Sequence, residues 1–338
     1  MKKERKGIAI AGSIILDQVK KVDLYPPRLM LTSIKELSRA VGGCVSNTAI
    51  DLATIDPTLP VKAIGKVGRD EGGRYIIETL KAHVVDADLV TACDDATSFS
   101  DVMSEISTGA RTFLHYRGAN ARFSRDDVDL SSLDCRMLHA GYLLLLDQFD
   151  RENDEYGTEM ARFLHDAQKE GIRTSIDAVS ESSGVFREKV LPVLRYTDNV
   201  ILNEIEGCGA AGLDARDEND VLIEANVYRA MEYMMKKGVG ERVVIHCPEA
   251  GFALNKDGTF TRVPSLSLPK GFIRGSVGAG DAFCAGCLYG IYTGMSDSEM
   301  LAFASGAAAC NLSAVDSISG MKSRTEIEAL VASMPKRP

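Results

Sequence analysis

The sequence predicts an α/β protein whose mostly parallel central sheet carries helices on both faces. Apolar, often β-branched runs of strand length alternate with segments of helical periodicity along most of the chain, as expected of such a sheet. The chain has 338 residues, of which 45% are hydrophobic, enough to bury a sizeable core. Buried parallel strands read as continuous apolar runs. The runs that fit this description are 8–16, 61–64, 137–146, 173–176, 200–202 and 242–245.

Helical segments and one hairpin fill the intervals between these strands. Apolar residues recur at helical spacing in 74–83, 156–170 and 219–237. The alternation breaks at 251–263, where Asn255-Lys-Asp-Gly separates two short apolar runs. That arrangement predicts a β-hairpin.

Strands of alternating polarity predict a second, smaller sheet. Residues 17–22 extend the first strand with alternating polar and apolar side chains, and 98–106 and 111–116 form a similar pair around Ser107-Thr-Gly. Such strands have one face in water, which a parallel sheet covered by helices does not provide. We therefore expect them to lie outside the central sheet.

The composition favours a cytoplasmic protein that binds small molecules. Its 39 basic and 48 acidic residues give a net charge of −9, which argues against binding to nucleic acid or to an acidic membrane surface. No stretch approaches the roughly 18 apolar residues that a membrane span needs. The apolar run near the N-terminus stops at Asp17 without a convincing signal-peptide cleavage site. Eight scattered cysteines fit reduced thiols better than a disulfide framework.

One cysteine pair, Cys284 and Cys287, forms a C-x-x-C sequence. No second pair of this kind exists, and no histidine lies near it in the sequence. The pattern favours two small core residues over a redox or metal-binding role. The five histidines are dispersed without metal-binding spacing, so we expect them to be ordinary core or surface residues.

The segment 275–290, GSVGAGDAFCAGCLYG, predicts an anion site beside a carboxylate. Gly278, Ala279 and Gly280 have almost no side chain, so the backbone can turn sharply and present its N–H groups to a ligand. Asp281 follows at once, and the apolar residues after it have helical spacing, so a helix begins at or just after the acid. A helix N-terminus favours a phosphate. An ordinary glycine-rich turn is the alternative interpretation.

Read with its flanks, this segment closely resembles the C-terminal signature of the pfkB carbohydrate kinases, the ribokinase family. The resemblance implies transfer of a phosphoryl group from ATP to a hydroxyl. In this scheme Asp281 is the general base, and the backbone of Gly278, Ala279 and Gly280 forms the anion hole.

The resemblance also implies a ribokinase-like fold, a three-layer α/β/α sandwich with a small β-sheet lid. Residues 1–13, 41–94 and 121–338 would form the large domain that binds nucleotide and substrate. Residues 14–40 and 95–120 would form the lid that covers the sugar. On this lid, Arg117 would pair with a carboxylate if the acceptor is a sugar acid.

The acceptor-binding residues of the family have counterparts near the N-terminus. Residues 42–47, GGCVSN, are similar to the family's G-G-x-x-x-N, which implies that Gly42 and Gly43 let the backbone approach the sugar and that Asn47 bonds a hydroxyl. Asp17 stands where family members carry an acid that grips sugar hydroxyls. Without the family, a strand-to-helix turn and an exposed or capping aspartate are the alternatives.

The cofactor-binding residues follow from a third match. Asn203-Glu-Ile-Glu206 corresponds to the family's N-x-x-E and comes directly after a predicted strand. The match implies that Asn203 reaches the nucleotide phosphates and that Glu206 binds Mg²⁺ through water. Asn311 is assigned to cofactor binding by the same resemblance, and ATP and Mg²⁺ are the expected cofactors.

Two departures from the family pattern affect the expected ligands. Gly275 stands where the signature usually has Asp, so a K⁺ site that relies on this carboxylate is doubtful, and we expect activity to depend only weakly on K⁺. Pro248 follows the strand that ends at Ile245 and removes an N–H beside the nucleotide.

An ATP-dependent sugar kinase is the leading interpretation, with a sugar and ATP as partners. A nucleoside kinase of the same family is the nearest alternative, because only the pocket would differ. A sugar-binding, kinase-like protein without turnover is another, although the retention of Asp281 and Glu206 argues against it. The sequence contains no Walker A motif, and no G-x-G-x-x-G follows the first strand. The resemblance admits a homodimer formed through the lid.

Overall fold

The computed structural model describes residues 5–108, 110–179 and 186–338, and a nine-stranded sheet forms its centre. Seven neighbouring strands are parallel, and two strands at one edge form the predicted antiparallel hairpin. All six runs predicted as strands contribute to this sheet, which confirms the predicted fold class. In spatial order the strands are β15 (Phe260–Pro264), β14 (Ala250–Asn255), β13 (Arg242–His246), β12 (Asn199–Asn203), β11 (Arg173–Ala178), β8 (Met137–Leu143), β1 (Ile8–Gly12), β4 (Val61–Gly68) and β5 (Asp86–Cys93).

Helices cover both faces of this sheet and give three layers. A separate cluster of buried apolar side chains fills the space between the sheet and each helical layer. One layer comprises α1 (Gly43–Ile55), α2 (Glu71–Ala82), α7 (Ala279–Thr293), α8 (Asp297–Leu312) and α9 (Arg324–Ser333). The other comprises α3 (Glu159–Lys169), α4 (Phe186–Leu194), α5 (Glu204–Ala211) and α6 (Glu224–Lys236). In the described ranges, no helix combines the length and apolar character that crossing a membrane requires.

A small sheet of four strands lies apart from the central one. Its order is β3 (Ile34–Gly42), β2 (Ile15–Val22), β6 (Phe99–Glu105) and β7 (Arg111–Tyr116). The expected separate sheet is therefore present, while its role as a lid and the proposed domain boundaries stay predictions. The sheet exposes Leu37, Phe113 and Leu114 to solvent. The register places Leu37 and Leu114 on one face of the sheet and Phe113 on the other. The predicted homodimer stays a prediction.

The predicted strand 8–16 is wrong in one respect, because the chain divides there into strands of two different sheets. β1 ends at Gly12, whose φ of +147° favours glycine, and β2 begins at Ile15. The intervening Ser13 and Ile14 are fully buried, so the apolar run continues across the break and hides it.

Two helices begin later than their periodicity suggests. α6 begins at Glu224 because the residues before it form an isolated bridge between Arg216 and Leu222. α3 begins at Glu159, after a hairpin of β9 (Glu152–Asn153) and β10 (Gly157–Thr158), and the Thr158 side chain accepts from the Ala161 N–H as its N-cap.

Helices α7 and α8 pack closely at two glycines of the segment 275–290. A Cβ added at Gly286 would lie 2.6 Å from the Cα of Ala304, and one at Gly290 would lie 2.7 Å from the Cγ of Met300. Ordinary Cβ atoms do not approach other atoms this closely. The separation of these helices therefore depends on the absence of side chains at both positions.

Candidate active site

Helix α7 begins at Ala279, directly after a sharp turn. Gly278 has a φ of +80°, in the left-handed region that favours glycine, and a Cβ there would lie 2.6 Å from the Cβ of Ser317. Gly278 and Gly280 line a cavity at this end of the helix. The first N–H groups of a helix lack partners within it, and here the N–H of Ala279 donates to the Ser276 carbonyl at 3.4 Å. The anion site at this turn stays a prediction.

Asp281 lies in the first turn of α7 and is only 4% exposed. The Asn47 side-chain amide donates to Oδ2 of Asp281 at 2.8 Å, and the Tyr142 hydroxyl donates to the same oxygen at 3.0 Å. Burial and then the nearby Asp177 carboxylate raise the pKa of Asp281 to about 7, although both hydrogen bonds act to lower it. With this pKa the carboxyl group can be ionised near neutral pH and still be a useful base.

Tyr142, Asp177 and Ser317 belong to this site and were not identified from the sequence. Tyr142 lies in β8 with a φ of +58°, and its N–H donates to Oδ1 of Asp177 at 2.5 Å. The Ser317 hydroxyl donates to Oδ1 of Asn47 at 2.8 Å, which directs the amide nitrogen of Asn47 towards Asp281. Asp177 lies near the carboxyl end of β11, where parallel sheets bind ligands, and this position was the available signal.

Asn203 and Glu206 lie together where β12 ends and α5 begins. The Asn203 side chain accepts from the Glu206 N–H at 2.9 Å, and Oε2 of Glu206 accepts from the Asn203 N–H at 3.1 Å. In such a reciprocal capping box the two residues stand three positions apart, as Asn203 and Glu206 do. The box fixes both side chains at the start of α5.

Two cavities meet at the N-terminus of α7. The smaller, about 180 Å³, contains the carboxylates of Asp177, Glu206 and Asp281 in its lining. The larger, about 510 Å³, is mostly apolar and includes Pro248 and Phe283 in its lining. Asn203, His246 and Gly280 line both cavities. The structure thus brings Asn203, Glu206, Gly278, Gly280 and Asp281 to one place.

The predicted acceptor residues lie where the small sheet joins the central domain. Asp17 in β2 pairs with Ala40 of β3, and a Cβ at Gly42 would lie 2.4 Å from the Asp17 carboxylate. Gly43 has a φ of +81°, and a Cβ there would lie 2.4 Å from the Ser13 carbonyl oxygen. Burial raises the pKa of Asp17 to about 6, against the opposing charge of Arg111. Both glycines are thus required by close contacts with their surroundings.

Two other predicted residues have partners that bear on their assigned roles. The Asn311 amide donates to the Ser317 carbonyl at 2.7 Å, and Asn311 is not among the described residues that line the two cavities. Its assignment to cofactor binding therefore stays a prediction. Arg117 forms an ion pair with Asp147 at 2.7 Å and donates to the Leu144 carbonyl at 3.2 Å. The Arg117 guanidinium is therefore already paired with groups of the protein itself.

The backbone around Gly275 leaves little room for a side chain. A Cβ there would lie 2.8 Å from the Ala314 carbonyl oxygen and 2.9 Å from that of Val315. An aspartate would need this loop to shift. The expected weak dependence of activity on K⁺ stays a prediction.

Comparison with protein families gives one match along nearly the whole chain. The model of the pfkB family carbohydrate kinases matches residues 5–324. Among curated proteins, the 2-dehydro-3-deoxygluconokinase of Dickeya dadantii is 24% identical over 297 residues, covering 84% of this chain and 87% of the relative. The 5-dehydro-2-deoxygluconokinase of Listeria innocua is 24% identical over 310 residues, covering 87% of each chain.

Solved structures share the fold. The ribokinase of Arabidopsis thaliana, complexed with ribose and ATP, has a TM-score of 0.79 at 20% identity, covering 97% of this chain and 99% of that one. The ribokinase of Thermotoga maritima gives a TM-score of 0.78 at 20% identity with the same coverage. At this identity the likeness establishes a common architecture.

Proposed function

The chain belongs to the pfkB family of carbohydrate kinases, and from this premise we propose that it transfers the γ-phosphate of ATP to a sugar hydroxyl, with Asp281 as the general base. One observation carries the proposal: a buried carboxylate with a raised pKa directly follows a glycine turn at a helix N-terminus. Phosphoryl transfer needs a proton acceptor for the hydroxyl and positive potential for the transferring group. In this chain the carboxylate of Asp281 and the N-terminus of α7 lie next to each other.

The hydrogen bonds to Asp281 determine how it would act as a base. Asn47 and Tyr142 both donate to Oδ2. Oδ1 is then the oxygen that accepts the proton of the acceptor hydroxyl. With a pKa of about 7, Asp281 is a stronger base than an ordinary aspartate and is still ionised above neutral pH.

The backbone of Gly278, Ala279 and Gly280 would hold the transferring phosphoryl group. Donors that point at the developing charge before reaction need no reorganisation, so they stabilise the transition state more than the ground state. The dipole of α7, a helix of 15 residues, adds to the potential at this end.

The smaller cavity fits Mg²⁺ as the metal cofactor. Mg²⁺ prefers oxygen ligands and retains several waters, and the buried carboxylate of Glu206 faces this cavity. Glu206 would hold the ion through water, beside Asn203. When bound, Mg²⁺ neutralises charge on the phosphate oxygens.

The larger cavity would receive the adenosine part of ATP. Its volume of about 510 Å³ lies within the range of roughly 300 to 1,000 Å³ usual for small-molecule sites. It adjoins the smaller cavity at Gly280, which would place the phosphates near Asp281. Pro248 supplies a ring to this lining in place of an N–H donor.

The acceptor would bind on the small-sheet side of Asp281, against the four predicted residues Asp17, Gly42, Gly43 and Asn47. The two curated relatives described above are named for dehydro-deoxygluconates, and ribokinases are among the structural neighbours. Sugars and sugar acids are therefore the first candidates. Because Arg117 is paired with Asp147 while Arg111 acts electrostatically on Asp17, Arg111 is the better placed lid arginine to meet a carboxylate.

A phosphorylation screen with ATP and Mg²⁺ tests the function. The panel should contain neutral sugars, dehydro-deoxygluconates and nucleosides, and product should be detected as phosphorylated acceptor. We expect a sugar or sugar acid to be phosphorylated in preference to every nucleoside. Preference for a nucleoside would favour a nucleoside kinase. Tight binding of a sugar without any product would favour a kinase-like binding protein.

The hydrogen bond from Tyr142 predicts a shift in the pH dependence of turnover. It stabilises the ionised form of Asp281, so its removal in Tyr142→Phe raises the pKa of Asp281. Since only the ionised form accepts a proton, the acid limb of kcat against pH should move upward by about one pH unit, from a bond worth about 1.5 kcal/mol.

Tyr289, which lies in α7 as Asp281 does, supplies the control. The Tyr289 hydroxyl donates to Oδ2 of Asp56 at 3.3 Å, away from the proposed site. Tyr289→Phe should leave the acid limb where it is. An unmoved limb in Tyr142→Phe would show that Asp281 does not control the profile.

A further inference from the structure

Three side chains with different donor atoms converge beside the smaller cavity. His139 in β8, Asp177 in β11 and Cys284 in α7 place one donor atom each within 4.8 Å of the others. Nε2 of His139 lies 3.5 Å from Oδ2 of Asp177 and 3.6 Å from Sγ of Cys284. The side chains are buried, with exposures of 0%, 8% and 2%. Nothing in the proposed phosphoryl transfer uses His139 or Cys284.

The two separations that involve His139 match the edges of a tetrahedral zinc site. Zinc binds histidine nitrogen and carboxylate oxygen at about 2.0 Å and cysteine sulfur at about 2.3 Å. With tetrahedral angles, those bond lengths put nitrogen and oxygen about 3.3 Å apart and nitrogen and sulfur about 3.6 Å apart. The Asp177 carboxylate and the Cys284 sulfur lie within 4.8 Å of each other, against a tetrahedral edge of about 3.5 Å. Closing this third edge needs a side-chain shift of up to about 1.3 Å.

Outer hydrogen bonds orient two of the three groups for this purpose. Nδ1 of His139 lies 3.0 Å from the Ser175 hydroxyl, which leaves Nε2 towards the cluster. Oδ1 of Asp177 accepts from the Tyr142 N–H at 2.5 Å, which leaves Oδ2 towards His139. Such partners typically fix the orientation of zinc ligands.

The cluster also has an entry path and an open side. Asp177 and Cys284 are both in the lining of the cavity of about 180 Å³. An ion could enter from there and keep one position for water, as zinc sites with three protein ligands do. Mg²⁺ is a poor candidate, because it demands octahedral oxygen coordination.

We propose that His139, Asp177 and Cys284 form a Zn²⁺ site on the wall of the smaller cavity, separate from the Mg²⁺ that Glu206 would hold. On binding, the Cys284 thiol loses its proton to solvent and the thiolate coordinates the ion. Cys287 takes no part, since its charged neighbours are Arg242 and Asp297. The C-x-x-C sequence therefore contributes one ligand and one core residue.

Metal binding to the purified, metal-depleted full chain tests the proposal without reference to kinase activity. Isothermal titration and equilibrium dialysis should give one Zn²⁺ per chain. Even outer-shell partners contribute about 10- to 100-fold in affinity, so loss of a ligand in Cys284→Ser or His139→Gln should weaken binding by about 100-fold or more. Cys287→Ser, a matched change three residues away in the same helix, should bind Zn²⁺ as the native chain does.

Substitution of Co²⁺ for Zn²⁺ keeps the test decisive if a variant fails to fold. The native chain with Co²⁺ should show the charge-transfer absorption of a cobalt–thiolate bond, and Cys287→Ser should retain it. Absence of stoichiometric binding, absence of the thiolate band, or native affinity in a folded Cys284→Ser variant would each overturn the site. None of these results depends on whether the chain phosphorylates a sugar.

Discussion

Asp281→Asn is expected to lower kcat by about 100- to 10,000-fold, the usual contribution of a positioned general base. The asparagine keeps the size and shape of the side chain and an oxygen that can accept from Asn47 and Tyr142. Its amide cannot take the proton of the acceptor hydroxyl. The loss should appear in steady-state turnover with saturating ATP and acceptor.

Ligand binding separates this outcome from a structural role of Asp281. The proposed anion hole is backbone, which the substitution leaves in place, so calorimetric dissociation constants for ATP and acceptor should change little. Loss of binding together with turnover would indicate that Asp281 mainly stabilises the start of α7. Turnover within threefold of native would exclude it as the base.

Gly278→Ala is expected to lower the free energy of unfolding by about 2 to 5 kcal/mol and turnover by about 100-fold. The left-handed conformation costs a residue with a Cβ about 1 to 2 kcal/mol, and the contact of this Cβ with Ser317 at 2.6 Å adds an overpacking cost of about 1 to 3 kcal/mol. Relief of the contact would move the turn that presents the N–H groups, and loss of one such donor typically costs about 100-fold or more.

Gly294 supplies a matched control at the other end of the same helix. Its φ is +78°, but no atom outside its immediate neighbours lies within 4 Å of a Cβ built there. Gly294→Ala should therefore show only the conformational cost of about 1 to 2 kcal/mol in urea unfolding, with native turnover. Equal effects of the two substitutions would mean that the contact with Ser317 contributes nothing.

The central sheet and the segment around Asp281 were predictable because their signals are local. Buried parallel strands are continuous apolar runs, and Gly278, Ala279, Gly280 and Asp281 are consecutive. β5 was missed because its burial is irregular and its sequence carries no clear period. The division between β1 and β2 was missed because buried residues continue through it.

The contacts of Asp281 could not be predicted, although Asn47 was expected in the acceptor site, because the partners come from distant parts of the chain. Asn47 lies 234 positions away and Tyr142 lies 139 positions away. Tyr142 is also concealed within an apolar run that looks like uninterrupted strand, whereas the backbone has positive φ at Tyr142 and Leu144. His139 and Cys284 also lie far apart in the sequence, 145 positions, and meet only in the folded chain. Contacts of this kind depend on the assembled fold.

The glycine contacts between α7 and α8 determine which parts of the molecule can move. Because Gly286 and Gly290 leave no space between these helices, α7 cannot slide or tilt without collisions, so Asp281 and the glycine turn form a rigid platform. Any closure over bound ligands must then come from the small sheet. The chain enters and leaves that sheet at four points, and three of them have a glycine with positive φ: Gly12, Gly43 and Gly118. These three glycines are the expected hinges, and Asp281, the proposed base, would stay fixed while the small sheet brings the acceptor to it.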